Sequence, residues 1–311
     1  MCVSTSNNID ATLRKFWDLE ELPAVHHLSP DDKIAEEIYI STTTRLSSGR
    51  FMVTLPFRQP SPVLGDSKSQ AHQHYKALET RLTRHPDLRK QYTEFMQDYL
   101  SCGHMELVPM GERDNPLNYY IPHHCVIKPD SKTTKLRVVF NASARTSTGA
   151  SLNDSLYTGP KLQPDIQIVL LRSRLWKYLF MADIKQMYRQ ILVRPADRDY
   201  LRILWRFSPS SPVDEYRLCT VTYGTSAAPF QALRTIRHLA SLDGATWPVA
   251  ANVLLNDTFV DDILTGANSE EAALQCQDQL INLCSLAQFE LRKWASNNVH
   301  ILETVPPEAR A

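Results

Sequence analysis

The stretch NDTFVDDILTGA, residues 256–267, places two adjacent carboxylates between two runs of apolar and β-branched residues. The longer run VLLNDTFVDDILTGA, residues 253–267, predicts a β-hairpin whose turn carries Asp261 and Asp262. Asp-Gly or Asn-Gly would form such a turn without repulsion between two like charges. The pair is therefore either an ordinary solvated turn or part of a site that needs both charges.

A third carboxylate, Asp183, ends the apolar strand-like run KYLFMADI, residues 177–184. If this strand lies beside the hairpin, three carboxylates converge and repel one another unless a cation neutralises them. Mg²⁺ prefers oxygen ligands and takes substrate phosphates into its coordination shell. Two such ions, about 4 Å apart, support phosphoryl transfer. The pattern therefore predicts a two-metal site, with a solvated acidic pair as the alternative.

The composition is typical of a soluble globular protein, with 311 residues, 43% of them hydrophobic and 22% charged. The chain contains no run of 18 apolar residues, so we expect no membrane span. The first ten residues lack the features of a signal peptide, and the six cysteines form no C-x-x-C pair. These features predict a cytoplasmic protein in a reducing compartment, not a secreted one.

The net charge is zero, but the charges are unevenly distributed. Residues 1–40 carry eight acids and three bases, whereas residues 124–145 carry five bases and one acid. Residues 172–206 carry nine lysines and arginines and three aspartates. The two basic segments indicate an anionic partner or, equally, solvated faces of a mixed surface.

The hydrophobic periodicity predicts an α+β fold. Residues 67–102 predict two helices broken near Pro86, and residues 119–141 predict a basic β-hairpin. His123, His124 and Cys125 lie in this hairpin, where strand residues are expected and not metal ligands.

Further elements are predicted towards the C-terminus, and the hairpin at 253–267 follows them. The predictions are helices at 165–175, 185–193 and 226–241, paired strands at 198–209 and 215–224, and a helix capped by Asn268 and Glu271 that runs to about Phe289.

Three motifs, in one order, carry a resemblance to a known family. FMADIKQMYRQI at 180–191, YGTSAAPFQ at 223–231 and FVDD within 258–265 are similar to the catalytic motifs of reverse transcriptases. The segments YYIPHHCVIKPDSKTTKLRVVFNAS at 119–143 and FELRKWASN at 289–297 resemble the reverse transcriptase of Pao/BEL long-terminal-repeat retrotransposons. The resemblance covers nearly the whole chain and is strongest over 119–297.

This resemblance implies a right-hand polymerase fold, with fingers and palm subdomains and an antiparallel palm sheet flanked by helices. Residues 1–105 would form an acidic, partly helical lead-in, and residues 106–311 the fingers and palm. The thumb is expected to be absent or incomplete, because no primer-grip motif follows FELRKWASN.

The resemblance also implies roles at the acidic site. Asp183 and Asp261 would bind two Mg²⁺ ions, for which Mn²⁺ could substitute, and Asp262 would complete the catalytic trio. The backbone carbonyl of Ile184 would help to hold a metal. Tyr188 matches the aromatic steric gate that excludes a ribose 2′-hydroxyl, although its place on an apolar helical stripe is equally typical of a core residue.

Other residues would contact the nucleotide or the nucleic acid. Gly224 would let the backbone approach both closely. Lys128, Lys135 and Arg137 would clamp the triphosphate, with the division of roles between Lys135 and Arg137 left open, and Lys293 would protonate pyrophosphate. The candidates for phosphate-backbone contacts, with a solvated face as the alternative, are Arg189, Arg194, Arg202 and Arg206.

The implied function is that of an RNA-directed DNA polymerase. Its partners would be an RNA or DNA template–primer, dNTPs and the protease, RNase H and integrase of a polyprotein, inside virus-like particles and not on a membrane. The alternative is a catalytically silent remnant that at most binds nucleic acid.

Overall fold

The computed structural model describes residues 28–62, 64–127 and 136–311. The helices in this part of the chain are α1 Pro30–Thr42, α2 Lys68–Arg84, α3 Pro86–Ser101, α4 Ile166–Ser173, α5 Met187–Gln190, α6 Ala228–Asp243, α7 Pro248–Asn256, α8 Glu270–Ser285 and α9 Val299–Glu303. The strands are β1 Thr44–Arg45, β2 Phe51–Val53, β3 Met105–Leu107, β4 His123–Ile127, β5 Leu136–Phe140, β6 Tyr178–Ile184, β7 Leu192–Val193, β8 Arg202–Trp205, β9 Asp214–Leu218, β10 Thr258–Phe259, β11 Asp262–Ala267 and β12 Leu291–Ser296. The fold is mixed α+β, with small, mainly antiparallel sheets.

A four-stranded antiparallel sheet positions the predicted acidic site. Its strand order is β10-β11-β6-β12, so β6 lies between β11 and β12. One face of β6 is buried through Phe180, Ala182 and Ile184, whereas Met181 on the other face is 41% exposed. Helix α8 packs against both β6 and β11, and α4 packs against β11. The acidic ends of β6 and β11 are thus held on a rigid, helix-backed support.

Two further sheets and a hairpin surround this support. Strands β3, β9 and β8 form an antiparallel sheet, and β4 pairs with β5 in the predicted basic hairpin. In the third sheet, β2 pairs with β1 in antiparallel and with β7 in parallel.

The hydrophobic core includes residues from both sides of position 105. Phe51 of β2 and Tyr92 and Met96 of α3 are at most 1% exposed and belong to the same cluster as Phe180 of β6. The sequence alone did not indicate whether the N-terminal region packs on the remainder. Its described part does so.

The structure confirms most predicted elements. The two helices on either side of His85, the β4–β5 hairpin, the β8–β9 pair and α6 are all present. Pro86 and Pro229 lie in the first turns of α3 and α6, where a missing N–H costs no helical hydrogen bond. The start of the expected acidic lead-in, residues 1–27, lies outside the described residues.

Several boundaries were wrong, and three of these differences adjoin β6 and β11. The helix expected at 185–193 ends at Gln190, because Leu192–Val193 pairs with β2. The residues VLLN of the expected hairpin belong to α7, which begins at Pro248, so only 258–267 forms the hairpin. Ser269, not Asn268, caps α8 by accepting a hydrogen bond from the Ala272 N–H. In the first two, tertiary pairing and an upstream proline outweigh the local pattern.

Candidate active site

Two of the predicted carboxylates lie opposite each other on neighbouring strands. Asp183, next to last in β6, pairs in register with Asp262, the first residue of β11. On the other side of β6, Asp183 pairs in register with Arg292 of β12. Directly opposed residues of antiparallel strands project from the same face of a sheet. The row across the sheet therefore reads carboxylate, carboxylate, guanidinium.

Asp261 joins this pair from the turn between β10 and β11. Its backbone carbonyl accepts a 2.7 Å hydrogen bond from the Ile184 N–H, which fastens the turn to the end of β6. Burial raises the pKa of the Asp261 carboxyl, and the charges of Asp183 and Asp262 raise it further. Burial and the charge of Asp183 likewise raise the pKa of Asp262. The three acids are thus close enough to repel, which an ordinary solvated turn would avoid.

The backbone around the trio is strained. Val260, in the hairpin turn, has φ +58°, although a β-branched residue rarely adopts the left-handed region. Gln186 follows β6 by two residues with φ +50°, and Lys293 in β12 has φ +54°. These are three of the five non-glycine residues with positive φ in the described ranges. Such strain is concentrated at functional sites, where the surrounding structure holds it in place.

Each carboxylate oxygen of Asp183 has a cationic partner. Arg292 Nε donates to Oδ1 over 3.1 Å, and Lys293 Nζ donates to Oδ2 over 3.0 Å. Neighbouring strand residues ordinarily point to opposite faces of a sheet. The register of β12 against β6 shifts between Arg292 and Ala295, and the positive φ of Lys293 lies within this bulge. The irregularity is what brings both cations to one carboxylate.

An open cleft of about 470 Å³ lies over the site. Asp183 and Asp261 line it together with Arg292 and Lys293. Arg137 of strand β5 lines the same cleft. The structure therefore brings two of the three predicted acids, Asp183 and Asp261, into one cleft with one of the three predicted triphosphate-binding residues. Lys128 and Lys135, the other two, lie outside the described residues.

Tyr188 also lines this cleft. Its ring is partly buried and packs against the core, as the alternative reading of the sequence held. Burial raises the pKa of its hydroxyl, and the charge of Asp261 adds to that effect, so the phenol lies near the acidic turn. Core packing and a position at the cleft are thus compatible, and the steric-gate role remains a prediction.

Gly224 makes a close approach, but to protein. Its φ is +103°, and a Cβ at this position would lie 2.0 Å from the carbonyl oxygen of Phe140 at the end of β5. Glycine is thus required for the loop before α6 to rest on the β4–β5 hairpin. The predicted approach of Gly224 to a nucleotide is a separate matter and remains a prediction.

Arg189 is held against α3. Its guanidinium lies 5.1 Å from the ring centroid of Phe95 and 4.3 Å from that of Tyr99, and pairs with Asp98 at 3.4 Å. It lines the cleft from this fixed position. Arg194 is exposed and pairs with Asp197 at 3.1 Å, so a solvated face accounts for it. Neither geometry adds support for a contact with nucleic acid.

The prediction for Arg202 is corrected, because its side chain is fully buried. Its guanidinium donates to Asp199, to the hydroxyl of Tyr120 and to backbone carbonyls, and it pairs with Glu215 at 3.5 Å. A phosphate cannot reach it in this arrangement. Arg206 is likewise engaged, since its Nε and Nη2 donate to the two carboxylate oxygens of Glu79 over 2.6 and 2.7 Å.

Arg292 is the site residue that sequence reasoning missed. Within FELRKWASN, the resemblance implied a role for Lys293 alone. No local pattern in the sequence marks it, because its contact with Asp183 depends on the register of β12 against β6.

The donor set of the trio fits a hard divalent cation, because it consists only of carboxylate oxygens. In the described ranges, however, no three His, Cys, Asp or Glu side chains are grouped closely enough to hold a metal as they stand. Asp183 faces its two cations instead.

The comparisons with known proteins find a distant structural likeness. No protein-family model matches the chain, and no curated protein matches it. Among solved structures, it is similar to the crystal structure of prototype foamy virus protease-reverse transcriptase in its native form, with a TM-score of 0.44 and 15% sequence identity. The likeness covers 64% of this chain and 23% of that chain, so this chain spans less than a quarter of that protein's length. It assigns no role to any residue.

Within residues 28–62, 64–127 and 136–311, none of the helices is long and apolar enough to cross a bilayer.

Proposed function

We propose that the chain forms the fingers and palm of an RNA-directed DNA polymerase, which adds a dNTP to a primer 3′-hydroxyl. One observation carries the proposal. Three carboxylates meet at one edge of a rigid sheet, beside a cleft with a cationic wall. Asp183 comes from β6, Asp262 from β11, and Asp261 from the turn between β10 and β11. Their order along the chain and their surrounding motifs match those of reverse transcriptases, with Pao/BEL elements as the proposed subfamily.

In this proposal two Mg²⁺ ions are held by the three carboxylates and the carbonyl of Ile184, and Mn²⁺ can replace them. Bound there, they would activate the attacking oxygen and stabilise the leaving one. The raised pKa values of Asp261 and Asp262 are consistent with acids whose charged forms a bound cation would stabilise.

The remaining cleft residues are proposed to position the nucleotide. Arg137, with Lys128 and Lys135, would neutralise the triphosphate. Tyr188 would lie under the sugar and exclude a 2′-hydroxyl. Lys293, whose ammonium group lies 3.0 Å from an oxygen of Asp183, would deliver a proton to the departing pyrophosphate.

The wider setting is also a proposal. A template–primer of RNA or DNA would lie along the cleft, with Gly224 close to it. The chain would act together with the protease, RNase H and integrase of a polyprotein inside virus-like particles. A second candidate function, a catalytically silent protein that binds nucleic acid, is favoured by the two cations that already neutralise Asp183.

Primer extension separates the two candidates. The chain, and the same chain with whatever sequence follows it in its reading frame, would be incubated with poly(rA)/oligo(dT), Mg²⁺ and labelled dTTP. We expect extension that requires the template and the divalent cation. Binding of template–primer without any extension by either protein would favour the silent alternative and contradict the polymerase proposal.

A further inference from the structure

We infer that Arg292 and Lys293 act as a built-in cationic plug on Asp183, which a divalent cation must displace before the trio can bind it. The inference rests on the proposed function, because it concerns the metal affinity of the same three carboxylates. It assigns Arg292 a positioning role that the sequence motifs do not.

Each oxygen of the Asp183 carboxylate already faces a cationic group. Arg292 Nε lies 3.1 Å from Oδ1, and Lys293 Nζ lies 3.0 Å from Oδ2. The Asp183 side chain is only 11% exposed, so water cannot replace a lost partner easily. A carboxylate buried to this degree requires a counter-charge. Either the two side chains or an inorganic cation must supply it.

The two cations are placed so that they can leave. The side chains of Arg292 and Lys293 are 36% and 41% exposed, and both line the cleft. Long cationic side chains of this kind retain a solvated route away from a partner. After displacement, a guanidinium and an ammonium group would remain at the cleft, where a phosphate group is an alternative partner.

The arrangement explains why the trio is not grouped for metal binding as it stands. Within the described residues, the ion pairs of Arg292 and Lys293 are both made with Asp183. A cation that binds all three must therefore compete for Asp183 first.

The test is Mn²⁺ affinity of the full chain without nucleotide or nucleic acid, measured from the free-Mn²⁺ electron paramagnetic resonance signal. We expect Arg292→Gln to bind Mn²⁺ about tenfold more tightly than the wild type, the effect of losing one partly buried competing ion pair, worth about 1.4 kcal/mol. Arg292→Lys, which keeps the charge, should restore most of the weak binding. Circular dichroism and thermal unfolding would verify that each variant is folded.

Lys185→Gln is the matched control. Lys185 lies two residues from Asp183 but pairs with Glu290 at 2.7 Å. The Lys185–Glu290 pair is more open to solvent, since the Glu290 side chain is 59% exposed, and salt screens it. Loss of Lys185 should therefore change the Mn²⁺ affinity by less than about twofold.

Failure of the inference and failure of the proposed function give different results. If Asp183→Asn abolishes Mn²⁺ binding but wild type and Arg292→Gln bind equally, the metal site stands and the plug is refuted. An equal gain in Lys185→Gln would also refute the plug, because general electrostatics would then account for the effect. If the wild type, Arg292→Gln and Lys293→Gln all fail to bind Mn²⁺ detectably, both the plug and the proposed metal site are refuted.

Discussion

Arg202→Met removes a buried guanidinium and keeps a side chain of similar length. In the folded protein this guanidinium lies 2.9 Å from Asp199 and from the hydroxyl of Tyr120, and 3.5 Å from Glu215. Both carboxylates are less than a tenth exposed. Without the arginine, Asp199 would retain Arg217, at 3.4 Å, and Glu215 would retain Lys68, at 2.6 Å, as counter-charges.

Breaking a buried ion pair by removing one partner costs about 3–5 kcal/mol. At about 2–3 °C per kcal/mol for a chain of this size, the melting temperature should fall by roughly 6–15 °C. Differential scanning calorimetry measures this directly. The control is Arg145→Met, whose exposed guanidinium donates to the carbonyl of Gly149 and should lose less than about 1 kcal/mol. An unchanged melting temperature, with weakened binding of nucleic acid instead, would refute the structural role and restore the phosphate-contact prediction.

Four further outcomes are expected. Gly224→Ala should lower the free energy of unfolding in urea by about 3 kcal/mol or more, because its Cβ would meet a backbone oxygen at 2.0 Å. Gly149→Ala, where φ is +82° and the Cβ would enter open space, should cost only about 1 kcal/mol. Equal losses in the two variants would argue against the close approach. Burial lowers the pKa of His123 to about 4, so its contribution to stability is present above about pH 6.5 and is lost as the pH falls towards 4. A urea midpoint that stays constant across this pH range would show that the histidine is not buried in its neutral form. The pKa of Asp261 is raised, so its contribution to stability is present at low pH and is lost as the pH rises through the folded-state value. Asp261→Asn should therefore stabilise the protein at pH 7 by up to about 1 kcal/mol. A loss of stability at that pH would contradict the repulsion between Asp261 and the other two acids. Tyr188→Ala should raise the incorporation of rNTP relative to dNTP, and an unchanged ratio would remove its role as a gate.

Much of the fold was accessible from the sequence because the relevant signals are local. The 3.6-residue periodicity around Pro86 predicted α2 and α3, and alternation within the basic segment predicted the β4–β5 hairpin. The convergence of Asp183 with Asp261 and Asp262 was also predictable. Asp183 ends a strand, the other two acids lie at a turn, and the pairing of β6 with β11 alone brings them together.

The remaining features depend on contacts between distant segments. Arg202 occurs in a basic, strand-like segment that looks solvated, and its burial follows from Asp199 and Glu215 closing around it in the β8–β9 sheet. The ion pair of Arg292 follows from the register of β12 on β6 and from a bulge that no local pattern marks. The β7 strand forms because β2 lies beside it, 140 residues away in sequence.

The central claim is that the acidic trio performs nucleotide transfer, and substitution of Asp261 tests it most directly. Single-nucleotide primer extension would compare the wild type with Asp261→Asn and with Asp278→Asn, an exposed acid on α8 that serves as the control. We predict a loss of about a thousandfold in the rate for Asp261→Asn, despite its equal or higher stability, and no change for Asp278→Asn. A wild-type rate that persists in a folded Asp261→Asn protein would contradict the account.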